Sequence, residues 1–344
     1  MGVQISEIVP RKEIQLKDLK GQIIAIDAYN ALYQFLTTIR QVDGTPLQDS
    51  KGNITSHLSG LFYRNINLLL EGIKPVYVFD GKPPELKRKE NEKRNELKKQ
   101  AQEKYESAKS EQNLESMRKY SQQFVRITKE IIHESKDLLT ALGIPVIEAP
   151  GEGEAEASAL TKAKKAWATA SQDYDVLLYG APRLIRNLTL SRRRKTSSGT
   201  YVPVEIELIE FESLLNHLQI DQDQLICLGI LVGTDYNIGG IKGLGQKRAL
   251  EIVKKYKYPV TIFKYLQESD KYKDSINFNW QDIFKEFKDY QHNGGKMDFK
   301  KPDEKKVREI LLSKDFSLER IDSGLKRLEQ ANEEQKQKGL QDFW

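Results

Sequence analysis

Gln22-Ile23-Ile24-Ala25-Ile26-Asp27 is a short apolar run that closes on a carboxylate, and Leu32, Phe35, Leu36 and Ile39 follow it at helical spacing. The run reads as a strand that feeds a helix. The same figure recurs. Asp80 closes Val76-Tyr77-Val78-Phe79, Asp173 and Asp175 close Trp167-Ala168-Thr169-Ala170-Ser171-Gln172, and Asp235 ends Leu228-Gly229-Ile230-Leu231-Val232-Gly233-Thr234. Glu152 and Glu154 alternate with glycines in Pro150-Gly151-Glu152-Gly153-Glu154. An open α/β sheet is the predicted frame, in which ligands gather outside the carboxyl ends of the strands.

Seven carboxylates at such an edge raise one another's pKa and need cations to stay ionised. Hard divalent ions with oxygen ligands, Mg²⁺ or Mn²⁺, are the natural counter-charge. The chemistry this suits is phosphodiester hydrolysis, in which two metals ~3.5–4 Å apart stabilise the attacking and leaving oxygens. The pattern predicts a metal-dependent enzyme that acts on a polyanion.

Composition narrows the classes. A chain of 344 residues can bury one large core or two smaller ones. Charged residues are 31%, above the usual quarter, which implies long solvated helical faces. The net charge is only +5, so a nucleic-acid footprint must come from local clusters of positive charge. Cys227 is the single cysteine, which excludes an internal disulfide and a Cys-rich zinc site. His57, His133, His217 and His292 lack zinc-ligand spacing. No apolar run approaches the ~20 residues of a membrane span, and no secretory h-region opens the chain. A soluble, intracellular protein with no membrane partner is expected. Met1-Gly2-Val3-Gln4-Ile5-Ser6 fits a myristoylation pattern, but no polybasic second anchor follows it.

Along the chain, residues 1–80 read as strand, helix, polar loop, helix, strand. Residues 82–109 are nearly devoid of apolar side chains and crowded with Lys, Arg and Glu, which suits a solvated helix or mobile element. Met117, Tyr120, Phe124, Ile127 and Ile131 form an apolar stripe that predicts one further helix. Strand character returns over 145–148, 166–171, 176–179, 184–190 and 202–209, with a helix starting near Gly153. Arg192-Arg193-Arg194-Lys195 marks a hairpin tip or exposed loop. Residues 222–256 read as helix, glycine hairpin, helix. The hairpin Gly239-Gly240-Ile241-Lys242-Gly243-Leu244-Gly245 offers backbone N–H groups to a phosphate. It lacks a Walker ending, and no GxGxxG follows a strand, which argues against ATP and dinucleotides. Ser317 can cap a C-terminal helix. The polar tail ends in Gln337, Leu340, Phe343 and Trp344, anchors that read as a docking peptide.

Taken together, Phe79-Asp80-Gly81-Lys82-Pro83-Pro84, Ala149-Pro150-Gly151-Glu152-Gly153-Glu154-Ala155, Ala170-Ser171-Gln172-Asp173-Tyr174-Asp175 and Gly233-Thr234-Asp235-Tyr236 resemble the signature blocks of the flap endonuclease family. They stand in the family's order and spacing, and the resemblance covers essentially the whole chain. The short stretch between Asp80 and Glu152 resembles flap endonucleases, not the excision-repair relative with its very long spacer, and an end at the tail peptide resembles the archaeal branch.

The resemblance implies a PIN-like α/β fold: a twisted, mostly parallel sheet flanked by helices, with a helical arch and a helix–hairpin–helix that grips duplex DNA. It implies one metal site at Asp27, Asp80, Glu152 and Glu154 and another at Asp173, Asp175 and Asp235, holding two Mg²⁺ for which Mn²⁺ can substitute. A monovalent cation at the helix–hairpin–helix also follows from it, with ligands left open. Lys87 and Arg94, two helical turns apart, match the arch's catalytic basic residues. Tyr33 matches an aromatic that stacks on a nucleobase, a role suited to base–aromatic contact. Gly2, Arg40, Arg64 and Gly233, with Glu152 and Asp235, match DNA-contacting positions. Gln337, Leu340, Phe343 and Trp344 match the peptide that docks on the sliding clamp, PCNA. The regions implied are 1–98 (N-terminal nuclease region), 99–115 (arch and connector), 116–258 (internal nuclease region), 259–335 (C-terminal helices) and 336–344 (clamp peptide).

The expected activity is a structure-specific 5′-flap endonuclease with 5′→3′ exonuclease action. It would act in lagging-strand maturation and long-patch base excision repair, as a monomer on branched, nicked or gapped DNA. A non-catalytic clamp-associated scaffold would not need the whole acidic ring. A small-molecule phosphatase would leave the basic helix, the hairpin and the tail unexplained. Glu156 departs from the family's more usual neutral residue, and adds a carboxylate near the first metal unless it faces away.

Overall fold

The run that ends at Asp27 is the middle one of five parallel strands in a seven-stranded sheet in the computed structural model. Described are residues 2–341 except 42–43, 83, 85–86, 112, 114–115, 117–119, 122–124, 191–192, 196–199, 291 and 293. At 88–95, 109, 193–195, 201, 332 and 334–341 the description covers the backbone alone.

The strands are β1 (Lys12–Ile14), β2 (Ile23–Asp27), β3 (Lys74–Phe79), β4 (Val146–Glu148), β5 (Ala168–Ala170), β6 (Arg183–Arg186), β7 (Arg193–Lys195), β8 (Tyr201–Pro203) and β9 (Ile206–Glu210). The helices are α1 (Ala28–Thr38), α2 (Ser56–Leu70), α3 (Arg88–Ser110), α4 (Lys129–Ala141), α5 (Gly153–Lys162), α6 (Asp175–Leu178), α7 (Phe211–Leu218), α8 (Gln222–Val232), α9 (Gln246–Tyr256), α10 (Pro259–Glu268), α11 (Trp280–Lys288), α12 (Glu304–Leu312) and α13 (Leu318–Gln341).

Sheet order is β1-β9-β6-β5-β2-β3-β4, and the five strands β6, β5, β2, β3 and β4 run parallel. β9 pairs antiparallel with both β6 and β1, and β7 with β8 forms a separate hairpin. Parallel strands covered on both faces read as continuous apolar runs, which is why they stand out in the sequence. Ile24, Ile26, Tyr77 and Phe79 enter a core shared with α1, α2, α4, α12 and α13. Ala25, Val76 and Val78 face the opposite way, against Ala157 and Leu160 of α5. A third core joins α6 to α8, α9, α10 and α11. The fold is the expected α/β arrangement: a mostly parallel sheet flanked by helices.

Three expectations need correction. Residues 176–179 are not a strand: Val176, Leu177 and Leu178 lie in α6, with Tyr179 as its C-cap. All four are buried, so the short apolar run carried no periodicity to separate the two readings. The strand expected over 202–209 is two, β8 and β9, which belong to different sheets. The single helix expected through the 117–131 stripe is interrupted: Ser116, Tyr120 and Ser121 are helical, residues 125–128 are irregular, and α4 starts at Lys129. Thr128 caps it by accepting the Ile131 N–H at 3.3 Å, and Ile127 precedes it in irregular backbone. Met117 and Phe124 lie outside the described residues.

Candidate active site

Register fixes the floor. Asp27 pairs with Val78 and Ile26 with Ala170, so Asp27, Asp80 and the 173–175 turn emerge at one sheet edge. Phe79 pairs with Glu148, which brings the start of α5 beside them. Asp235 arrives from another direction, three residues past α8.

Most of these carboxylates are held by donors from other segments. Gly153 N–H donates to Asp80 Oδ1 at 2.7 Å, and a Cβ on Gly153 would stand 2.8 Å from that same oxygen. Glycine here is what lets the α5 N-terminus approach. Ser171 Oγ donates to Glu154 Oε1 at 2.6 Å, Val3 N–H to Asp175 Oδ1 at 2.7 Å, and Gly2 N–H to Asp173 Oδ1 at 3.1 Å. Asn30 spans two of them. Its N–H donates to Asp27 Oδ1 and its Nδ2 to Asp173 Oδ2, both at 3.1 Å.

Burial is the main cause of the floor's electrostatics. It pushes Asp27 up to about 7, aided by Asp80, and Asp80 up to about 6, aided by Glu152. Asp175 rises to about 7 through burial and then Asp235. Glu154 is raised well above the carboxylate range by burial, then by Asp173, Asp27 and Asp175, so it stands between the two expected ligand sets. A rise of about three pKa units costs the ionised form about 4 kcal/mol. A cation would offset that cost.

Among the described residues, Lys87 at the foot of α3 brings a positive charge onto the floor. Its Nζ lies 2.6 Å from Glu152 Oε1 and 3.2 Å from Asp235 Oδ2, and 5.4 Å from the Tyr236 ring centroid. The Glu152 contact is an ionic one, off hydrogen-bond alignment. Burial alone would lower the Lys87 pKa, but Glu152 and Asp235 raise it. Among the described residues no three carboxylates or imidazoles already close into a metal cage. What fits a hard cation is the donor set itself: buried, mutually repelling, and all oxygen.

The other expected residues lie on several elements. Tyr33 is 42% exposed on α1. Arg40 is engaged within the protein, donating to the carbonyls of Leu36, Gly44 and Ser121 and to Ser121 Oγ. Arg64 is partly buried, and burial lowers its pKa. Gly233 ends α8 at φ +112°, and a Cβ there would lie 2.6 Å from Gly240 N, so its small size closes the hairpin. Arg94 belongs to α3 by its backbone, while its side chain lies outside the described ones. Gln337 and Leu340 fall in the last turns of α13, their side chains likewise outside. Phe343 and Trp344 lie outside the described residues.

Glu156 faces away from the floor. It is fully buried and accepts from Gly294 N–H at 3.2 Å and Tyr290 Oη at 3.4 Å. Sequence reasoning missed Asn30, Ser171 and Tyr179. Asn30 had a signal, since three residues after Asp27 on a helix it shares that residue's face.

A carboxylate floor at parallel strand ends, with a basic helix rising from it and a glycine hairpin beside it, defines an α/β nuclease. The XPG N-terminal domain model matches residues 1–101 and the XPG I-region model residues 143–235. Flap endonuclease 1 of Thermococcus onnurineus is 49% identical over 353 residues, covering 100% of this chain and 99% of that protein. Flap endonuclease 1 of Saccharolobus solfataricus is 50% identical over 330 residues, covering 95% and 94%. Among solved structures, flap endonuclease-1 from Methanococcus jannaschii matches with a TM-score of 0.75 at 39% identity, over 96% of this chain and 98% of that one. The catalytic core of Rad2 in complex with DNA substrate shares the fold, with a TM-score of 0.68 at 23% identity over 95% and 100%. The chain belongs to the flap endonuclease 1 family. Among the described residues no helix is long and apolar enough to cross a membrane.

Proposed function

We propose that the protein is a 5′-flap endonuclease with 5′→3′ exonuclease activity, hydrolysing a DNA phosphodiester to leave a 5′-phosphate and a 3′-hydroxyl. The observation that supports this is the descent of Lys87 from the foot of α3 onto Glu152 and Asp235, which holds a cation over the acidic floor. Asp27, Asp80, Glu152 and Glu154, with Asp173, Asp175 and Asp235, would hold two Mg²⁺ or Mn²⁺. When bound, the metals supply Lewis-acid stabilisation of the attacking and leaving oxygens.

The chain's own residues supply the rest. With the floor's charge matched, Lys87 is released to face a non-bridging phosphate oxygen, and with Arg94 of the same basic segment it offsets charge that grows in the transition state. Tyr33, exposed beside the floor on α1, offers a face on which the neighbouring base stacks. The glycine hairpin at 239–245 and the α9 N-terminus grip duplex phosphates irrespective of sequence. A monovalent cation at that hairpin belongs to the same reading. Arg64 contacts the DNA backbone, while Arg40 shapes the loop at Gly44 that borders it.

The regions 1–98, 99–115, 116–258, 259–335 and 336–344 take the roles set out from sequence, with the tail docking on PCNA through Gln337, Leu340, Phe343 and Trp344. The protein would act as an intracellular monomer in lagging-strand maturation and long-patch repair. A labelled 5′-flap duplex incubated with and without Mg²⁺ tests the reading. A cut near the junction that requires Mg²⁺ is expected; no cut, or one indifferent to chelation, overturns it.

A further inference from the structure

The short apolar run at 176–179 hides a site residue. As a strand it would set Asp175 and Tyr179 ~13 Å apart. As a helical turn it stacks them one above the other, four residues apart on one face. Asp175 opens α6, and the Tyr179 N–H donates back to the Asp175 carbonyl at 3.2 Å. One end of the turn therefore sends Asp175 into the floor. The other end sends the Tyr179 hydroxyl to Glu152 Oε2 at 3.1 Å.

Glu152 needs that contact. It is the N-cap residue of α5, yet its side chain makes no capping bond to the helix. Its two oxygens are instead met from two sides, Oε1 by Lys87 and Oε2 by Tyr179. Under the proposed function Lys87 turns to the phosphate once the floor's charge is matched, which leaves Tyr179 as the partner that stays on Glu152. The Tyr179 ring is fixed in turn, 4.8 Å from Phe287 and 6.0 Å from Tyr290 between centroids. Its oxygen lies 3.0 Å from Tyr236 Oη. The contact between the two hydroxyls can run either way; with the Tyr179 proton on Glu152 Oε2, Tyr236 donates to Tyr179.

We propose that Tyr179 is a positioning residue that aims Glu152 at a divalent cation, with Tyr236 as its support. This rests on reading the floor as metal-binding. Residues that orient a metal ligand typically change metal affinity or activity by 10–100-fold when removed.

The test is Tyr179→Phe, which keeps the ring and its packing and removes only the hydroxyl. Calorimetric Mn²⁺ titration of the DNA-free protein should show about tenfold weaker binding. The Mg²⁺ concentration for half-maximal flap cleavage should rise by a similar factor. Tyr236→Phe should shift both in the same direction and by less, because the bond to Glu152 survives it. Wild-type Mn²⁺ affinity in Tyr179→Phe, including the case where only its melting temperature falls, overturns the proposal and leaves Tyr179 a packing residue. Wild-type protein that neither binds Mn²⁺ nor cuts a flap would instead sink the metal reading beneath it.

Discussion

Asp27, Asp80, Glu154 and Asp175 are buried; Asp80, Glu154 and Asp175 are each gripped by a donor from another segment, and Asp27 by the first turn of its own helix. The basic elements around them are made differently. α3 carries its charge on one 23-residue helix, and Lys242, Lys247 and Arg248 stand exposed on the hairpin and the first turn of α9. The floor gains its geometry from the sheet and costs stability to keep charged. The basic rim draws little on the core and acts through solvated charge. Changes to the floor should therefore alter chemistry with little effect on binding, and changes to the rim should alter binding and its salt dependence.

The sharpest break of that contrast is Asp173→Ala. It removes a carboxylate held by Gly2 and Asn30, and the cleavage rate should fall by at least about a thousandfold, a loss of several kcal/mol of transition-state stabilisation. Affinity for a labelled 5′ flap, measured in parallel, should change little. Undiminished Mg²⁺-dependent cutting would remove Asp173 from the metal site. Lys87→Ala comes next, because Lys87 belongs to the rim by sequence and to the floor by contact. Its single-turnover rate should drop by about a hundredfold, with affinity moving far less. Equal losses in both would place Lys87 with the rim.

A third test uses pH in the presence of chelator. Asp27 has its pKa raised from 3.8 to about 7, so the folded state holds a proton there that the unfolded chain has released. The stability linked to that proton is complete below pH 3.8 and is lost as pH rises through about 7. Carboxylates with lowered values, such as Glu134 beside His57 and Lys314, work in the opposite sense, so the comparison must be between variants. Between pH 5 and 7.5 the wild-type melting temperature should fall by a few degrees relative to Asp27→Asn, which carries no such proton. Parallel curves for the two proteins would mean that Asp27 is not held protonated.

Most of the floor was legible in the chain because parallel strands covered on both faces leave continuous apolar runs, and Asp27, Asp80 and Asp173 each follow one. The apolar run at 176–179 was not, since four residues buried on every side look alike as strand or helix. Tyr179 was lost with it. Glu156 could not be placed from its neighbours because its partners, Gly294 and Tyr290, lie more than 130 positions away. Arg40 is the reverse case. The resemblance implies a DNA contact there, and its guanidinium also donates to Leu36, Gly44 and Ser121, a polar loop contact that no hydrophobic pattern reveals.

The smallest expected effect isolates the rim. Lys242 is exposed on the glycine hairpin and no ion pair holds it among the described residues, so its replacement by Ala removes charge without disturbing the core. If it meets a phosphate, each such contact releases about one counterion. Flap affinity at 0.1 M salt should weaken by roughly threefold, equally for flaps of unrelated sequence, and the slope of log affinity against log salt should shrink by about one. The single-turnover cleavage rate should move less than the affinity does. A loss confined to one flap sequence would point to base readout at the hairpin, and an unchanged salt slope would place the duplex elsewhere on the molecule.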